Sequence, residues 1–167
     1  MTEQSLVEAT RKLPCSVVII SARAGAERGV MTANAMYVSE VPPIIAISVS
    51  KTQTTYDLIE KSKEFAVNII TEKQVPLARQ IGSTHGRDVD KFSRFNIGTE
   101  PAGHIGAPLV KGCYASIECR VKTSLFDVEG NHAIYIGEVI DFRVNNDLVP
   151  VVWLNNKYFS VGAECRL

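Results

Sequence analysis

The sequence has no excess of charge of either sign and no long hydrophobic segment. Its 167 residues contain 18 Lys plus Arg and 18 Asp plus Glu, so it lacks the positive field that binds nucleic acid or anionic membranes. The longest apolar run, at about residues 41–49, is too short to span a bilayer, and the polar first ten residues do not resemble a signal peptide. We therefore expect a soluble, cytoplasmic protein without nucleic-acid or membrane partners.

Signatures of metal and nucleotide binding are also missing. The four cysteines form no Cys-x-x-Cys pair and have no histidine at zinc-ligand spacing, so the sequence predicts reduced thiols and no metal site. Cys113 and Cys119 are expected to be buried on one face of a single strand. His85 and His104 are interpreted as exposed loop residues without metal partners. The Gly-x-Gly-x-x-Gly turn that seats a dinucleotide is absent, which disfavours a doubly wound α/β fold.

Runs rich in β-branched residues, separated by short turns, dominate the sequence. They predict strands at residues 16–21, 30–38, 44–49, 65–70, 114–122, 133–144 and 151–154. Short helices are predicted within the first ten residues, from a threonine cap at Thr54 or Thr55 to about Lys63, and over residues 76–81. Gly82 is expected to end the last of these helices in a left-handed conformation, and a polar loop to follow as far as Pro108.

These elements predict a single domain over residues 1–167 that is mainly β with short helical insertions. A barrel is favoured over a sandwich because a closed sheet leaves no exposed edges. Trp153, the only tryptophan, is expected in the core or at an interface rather than as a stacking platform.

Three polar segments are candidates for binding. In Thr32-Ala33-Asn34, small side chains let backbone N–H groups approach a planar ring, and Asn34 can both donate and accept; the alternative is an ordinary polar strand start. Residues 48–55 supply hydroxyls and a lysine ahead of a helix N-terminus, which suits a phosphate, although helix capping remains an alternative. Arg87 and Lys91, four residues apart, suit the same anion, with a solvated mixed-charge surface as the alternative.

The order of five segments resembles the flavin reductase-like, FMN-binding split-barrel proteins, which include NAD(P)H:flavin oxidoreductases and flavoredoxin. The segments are Val-Met-Thr-Ala-Asn at 30–34, Pro-Pro-Ile-Ile-Ala-Ile-Ser-Val-Ser at 42–50, Ser-Thr-His-Gly-Arg-Asp-Val-Asp-Lys-Phe at 83–92, Gly-Asn-His at 130–132 leading to Gly-Glu-Val at 137–139, and Tyr-Phe-Ser-Val-Gly at 158–162. The resemblance extends over residues 13–162. It implies an FMN-binding split β-barrel and a homodimer with the FMN site at its two-fold interface.

The resemblance also implies which residues bind the cofactor. They are Met31, Thr32, Ala33, Asn34, Ser48, Val49, Ser50, Thr54, Thr55, Ser83, Arg87, Lys91 and Phe92. Many relatives carry a bulky aromatic residue where this chain has Asn34. His132 corresponds to a histidine near the reactive side of the flavin and is the candidate catalytic residue, with a hydrogen-bonded structural role as the alternative.

A hydride passes from reduced nicotinamide to a flavin through the chemistry of the cofactors themselves, so no catalytic triad is expected. The implied activity is NADH- or NADPH-dependent reduction of FMN. A non-enzymatic electron carrier of the flavoredoxin type, serving a redox partner protein, has the same sequence requirements. A β-barrel binding module that has lost its cofactor is a third possibility.

Overall fold

The computed structural model describes residues 3–84, 89–126 and 130–165. Its strands are β1 (Cys15–Ser16), β2 (Val18–Ala24), β3 (Glu27–Ala33), β4 (Ala35–Ser39), β5 (Ile44–Ser50), β6 (Glu64–Ile69), β7 (Thr99–Glu100), β8 (Leu109–Val110), β9 (Ala115–Leu125), β10 (His132–Val144), β11 (Val151–Leu154) and β12 (Lys157–Ser160). Its helices are α1 (Glu3–Thr10), α2 (Thr54–Ser62), α3 (Val75–Ser83) and α4 (Lys91–Arg94). Strands thus outweigh the short helices, which confirms the mainly β prediction.

One seven-stranded antiparallel sheet organises the molecule, in the order β3-β2-β6-β9-β10-β5-β4. Its two edge strands, β3 and β4, follow each other in the chain with only Asn34 between them. The sheet therefore curls until its edges approach one another. The single strand predicted over residues 30–38 is wrong in this respect: the chain pairs with β2 before Asn34 and with β5 after it.

The curled sheet is packed on both faces near β2. Val18 and Ile20 belong to one hydrophobic cluster, together with Leu58 and Ile59 from α2. Ile19, on the opposite face of β2, packs in a second cluster that includes residues of α3 and α4. Burial of both faces explains why β2 reads as a continuous apolar run rather than an alternating pattern.

The helix ends differ from the sequence-based expectation. α2 is preceded by Gln53 as its N-cap, so neither Thr54 nor Thr55 caps it, and Lys63 ends it with a left-handed φ of 57°. Gly82 lies inside α3 and does not adopt a positive φ. Lys63 therefore takes, at the end of α2, the conformation that we expected of Gly82.

Two further regions are more ordered than expected. The predicted polar loop before Pro108 contains α4 and β7, and β7 pairs with β8. After β11 the chain turns at Asn155 and Asn156, both with positive φ, and β12 pairs back onto β11. No helix within the described ranges combines the length and apolar character that crossing a bilayer requires.

All four cysteines carry free thiols. Cys113 and Cys119 are both buried, as predicted, but only Cys119 lies in β9, and the two pack in different clusters. The expectation of a shared strand face is therefore wrong. Burial raises the pKa of the Cys113 thiol to about 11 and that of Cys119 to about 12, so neither is a nucleophile near neutral pH.

Candidate functional site

One end of the sheet carries polar side chains on its outer face. In the pairing of β5 with β10, His132 is opposite Ser50 and Ile134 is opposite Ser48. Directly opposed residues share a sheet face, so Ser48, Ser50 and His132 point the same way. Val49 and Ala133, one position along, are fully buried on the other face.

Asn34 joins this row from the neighbouring strand. Ala35 is the first residue of β4 and is opposite Ile47. Extending the antiparallel register by one residue places the exposed Asn34 beside Ser48. Asn34, Ser48, Ser50 and His132, called here the polar row, thus combine a side-chain amide, two hydroxyls and an imidazole on adjacent strands.

The chain between β5 and α2 extends the polar row with further donors. Ser50 Oγ and Thr52 Oγ1 form a 2.9 Å hydrogen bond, and the Lys51 amide donates to the Asn131 carbonyl at 2.7 Å. The Lys51 ammonium donates to the Phe126 carbonyl at 2.7 Å, which joins this segment to the β9–β10 hairpin. Hydroxyls grouped ahead of the N-terminus of α2 form a suitable setting for an anion.

Thr54 and Thr55, the first two residues of α2, face different surroundings. Thr54 is half-buried and lies at the border of a surface hollow. Thr55 is buried, and its Oγ1 packs so close to Gly29 that a Cβ there would lie 3.2 Å from it. Thr54 is therefore the more accessible of the two hydroxyls.

An aromatic hollow lies at the end of β3. About 250 Å³ in volume, it is lined by Val17, Thr32, Ala33, Asn34, Trp153 and Tyr158. Trp153 and Tyr158 are cross-strand partners in the β11–β12 hairpin, and the Arg79 guanidinium lies 4.9 Å from the Tyr158 ring centre. The hollow continues from Asn34 of the polar row, and its small residues and aromatic walls suit a planar ring.

Sequence reasoning did not assign Trp153 to this site. Its half-buried side chain packs against the second hydrophobic cluster, as expected, yet it also lines the hollow. The pairing of β11 with β1 and β12 brings Trp153 near Asn34.

Thr32 also lines the hollow, but its hydroxyl is used within the protein. It donates a hydrogen bond to the Ala78 carbonyl of α3 at 2.6 Å.

Three of the proposed cofactor residues have side chains in the hydrophobic core. Met31 is 7% exposed, Phe92 2% and Val49 0%. The Arg28 guanidinium covers the Phe92 ring at 4.6 Å from its centre. These side chains pack inside the protein and support the strands and the helix that carry the site.

Lys91 also points inward. Asp90 caps α4 by accepting from the amides of Phe92 and Ser93, and the buried Lys91 ammonium donates to Gln53 Oε1 at 3.0 Å and to the Ile81 carbonyl at 3.2 Å. It thereby links the start of α2 to the last turn of α3. Burial lowers the pKa of Lys91, since the charged form loses hydration.

Ser83, His85 and Arg87 belong to the part of the segment that precedes α4. Ser83 is exposed and donates to the Gln80 carbonyl at 3.2 Å. Arg87 and His85 lie outside the described residues. Of the two residues expected to suit the same anion, Lys91 has its side chain turned into the protein.

A larger hollow than the aromatic one, about 770 Å³, lies between α2 and the hairpin of β2 and β3. Its described lining carries four carboxylates, from Glu27, Asp57, Glu60 and Asp90, against the two cations of Arg28 and Lys61. This excess of negative charge disfavours a phosphate. The Ser93 hydroxyl, hydrogen-bonded to Asp90, is the main cause of a lowered Asp90 pKa, so this carboxylate keeps its charge.

His104 has partners that sequence spacing did not reveal. It is exposed, as predicted, but its Nδ1 lies 3.2 Å from Asp141 Oδ2 and 3.9 Å from Glu118 Oε2. Glu118 and Asp141 belong to β9 and β10, so the cluster is assembled by strand pairing.

Comparison with known proteins identifies the class. The family model described as flavin reductase like domain matches residues 10–162, and the chain belongs to this family. The actinorhodin polyketide dimerase of Streptomyces coelicolor is 26% identical over 158 residues, covering 93% of this chain and 85% of that protein. The FMN reductase (NADH) RutF of Pseudomonas syringae is 25% identical over 158 residues, covering 94% and 85%.

A solved structure supports the same assignment. The flavin reductase PheA2 in its native state superposes with a TM-score of 0.81 at 27% identity, covering 98% of this chain and all of that one. The fold and the family membership therefore agree along nearly the whole chain.

Proposed function

We propose that this protein is an NAD(P)H-dependent flavin reductase that holds FMN on the polar row. The observation that carries the proposal is the adjacency of three features: the polar row, the aromatic hollow beside Asn34 and the hydroxyl-rich start of α2. Together they offer a surface for a planar ring and donors for a phosphate. The similarity to an NADH-dependent FMN reductase supports this choice of cofactor.

Each part of the site has a role toward the cofactor. Ala33 and Asn34 lie against the ring, where the Asn34 amide can donate and accept. Ser50, Thr52 and the N-terminus of α2 bind the terminal phosphate, and Arg87 is proposed as its cationic partner. Thr54 lines the acidic hollow and is left out of the phosphate site. A single group of phosphate donors favours FMN over the longer FAD.

Bound FMN supplies the hydride-accepting chemistry, so the protein acts by binding, orientation and exclusion of water. Hydride transfer needs no obligatory proton from a side chain. His132, exposed at the start of β10 and opposite Ser50, is placed to orient the nicotinamide donor. We therefore assign it a positioning role, with its candidate catalytic role decided by experiment.

The same proposal includes a homodimer. β4 is an edge of the main sheet, and Met36, Tyr37 and Val38 on it are 62%, 64% and 45% exposed. An apolar edge strand of this kind requires a cover. A second copy of the chain is the cover that the family resemblance implies, and light scattering tests it. A cytoplasmic location, with its supply of reduced nicotinamide, completes the proposal.

Anaerobic reduction tests the function. The purified protein is reconstituted with FMN, freed of excess, and mixed with NADH or NADPH while flavin absorbance near 450 nm is followed. Fast bleaching with a nicotinamide supports the reductase. Retained FMN that is bleached by dithionite but not by either nicotinamide indicates an electron carrier. Failure to bind FMN indicates a binding module. Chromatography of the flavin released from the purified protein before reconstitution tests the choice of cofactor, and recovery of FAD alone would contradict FMN.

A further inference from the structure

A second constellation lies away from the polar row. Asp141 in β10 is opposite Glu118 in β9, at a register shift between Val139 and Asp141. Such a bulge redirects side chains, and here it leaves two carboxylates opposed on adjacent strands. Like charges in this position repel each other.

The loop before β8 brings a histidine to these carboxylates. Glu118 is fully buried, and its two oxygens accept from the amides of Gly103 and His104, each at 2.7 Å. These bonds fix the His104 backbone on Glu118. The His104 Nδ1 then lies 3.2 Å from Asp141 Oδ2, and all three ligand atoms lie within 4.8 Å of one another.

No arginine or lysine in the described ranges forms an ion pair with either carboxylate. Arg120, two residues from Glu118, pairs with Glu64, and Arg143, two residues from Asp141, pairs with Glu100. Within the described ranges, His104 is thus the cationic side chain that faces the two carboxylates, while the amides of Gly103 and His104 offset part of the charge of Glu118. A bound cation would complete the balance.

We propose that His104, Glu118 and Asp141 form a binding site for a divalent transition-metal ion, with Zn²⁺ as the best match. One imidazole nitrogen with two carboxylate oxygens is a donor set that zinc accepts, whereas an imidazole is unsuited to Mg²⁺ or Ca²⁺. Tetrahedral zinc at about 2.0–2.1 Å from its ligands separates them by about 3.3 Å. The 3.2 Å separation fits this geometry, whereas the 3.9 Å separation, and that between the two carboxylates, which lies within 4.8 Å, need the side chains to move closer on binding.

Access and packing agree with an open site. The His104 side chain is 60% exposed, so water can complete the coordination. A Cβ on Gly103 would lie only 3.3 Å from Asp141 Oδ2 and 3.7 Å from Glu118 Oε1. Glycine at this position leaves the approach to both carboxylates free.

The site lies away from the proposed flavin site. Asp141 is nine residues along β10 from His132, at most about 30 Å at the rise of a β-strand. The ion would thus fasten the loop that carries His104 to β9 and β10, without a part in electron transfer.

Calorimetric titration of the EDTA-dialysed full-length protein with zinc chloride tests the proposal. We expect one ion per chain, with Kd weakened about tenfold or more in His104→Gln and Asp141→Asn. Glu138→Gln, which removes a carboxylate from the same strand, should bind as the native chain does. Saturating zinc should raise the native Tm by about 5 °C and leave that of His104→Gln unchanged.

Circular dichroism establishes that each variant is folded. Absence of zinc binding to the native chain would overturn the proposal and leave a plain His104–Asp141 hydrogen bond. Equal affinity in all variants, or loss of binding in Cys165→Ser instead, would place the ion elsewhere and also overturn it.

Discussion

Two sets of residues that the sequence marks for the same cofactor face opposite ways in the fold. Asn34, Ser48, Ser50 and His132 lie on the outer face at one end of the sheet. Met31, Val49, Thr55, Lys91 and Phe92 are buried. The first set can meet a ligand with side chains, whereas the second holds the strands and helices that place the first.

Strand geometry accounts for much of this division. Side chains alternate along β5, so Val49 must point inward when Ser48 and Ser50 point outward. At α4, the Asp90 cap sets the helix so that Lys91 and Phe92 turn toward the core. A motif can therefore be associated with a cofactor while half of its side chains never touch it.

Phe92→Ala should have the largest effect, on the inward set. Removing a ring that is 2% exposed and covered by Arg28 leaves a cavity and should cost about 3–5 kcal/mol of unfolding free energy. Urea denaturation measures it. Phe142→Ala, at a position 63% exposed, is the matched control and should change stability by less than about 0.5 kcal/mol. Similar losses in both variants would contradict the inward placement of Phe92.

Lys91→Met should cost about 2 kcal/mol at neutral pH. The variant keeps most of the side-chain volume but leaves two buried acceptors, on Gln53 and Ile81, without their charged donor. Affinity for FMN should change much less than stability. An unchanged Tm together with tenfold weaker FMN binding would mean that Lys91 faces the phosphate, and would contradict its inward placement.

The pH dependence of stability in the same variant tests the burial of Lys91. Because burial lowers the pKa of Lys91, the unfolded chain binds more protons between the folded pKa and the ordinary value of about 10.4. Native stability therefore gains from this residue as pH rises through that window. The difference in unfolding free energy between the native chain and Lys91→Met, measured from pH 7 to pH 10.5, should show this gain, and a difference independent of pH would exclude it.

Asp90→Ala should cost about 1 kcal/mol by removing the cap of α4. The Asp90 pKa is lowered, chiefly by the Ser93 hydroxyl, so its stabilisation is complete above the unfolded pKa of about 3.9 and is lost as pH falls through the folded value. Thermal unfolding of Asp90→Ala and Asp90→Asn separates cap from charge, since Asn also caps. Equal losses in both would show that the charge, not the cap, matters.

Ser50→Ala should have the smallest effect on stability and a clear effect on binding. Losing one hydroxyl donor from the outward set should weaken FMN by about 1 kcal/mol, or about fivefold in Kd. Its Tm should stay within a degree or two of the native value. Fluorescence titration measures the affinity, with Ser160→Ala on β12 as the control. Equal affinity in both variants would remove Ser50 from the site.

The sequence was sufficient for the class of fold, because β-branched runs mark most strands of the main sheet. It was insufficient for the break at Asn34, since the run from Val30 to Val38 is continuous in pattern and only the change of partner strand divides it. The family resemblance identified cofactor residues whose side chains point outward and others whose side chains point inward. The register of strand pairing was needed to tell the two sets apart. Trp153 and the His104 cluster depend on contacts between distant segments, which no local pattern encodes.

The most direct test of the outward set is a map of amide chemical shifts on adding FMN to the isotope-labelled protein. We expect the largest amide shift changes at Asn34, Ser48, Ser50 and His132. The amide shifts of Glu118 and Asp141 should not change. Shifts concentrated instead around Arg28, Asp57 and Asp90, in the larger acidic hollow, with the polar row unaffected, would contradict it.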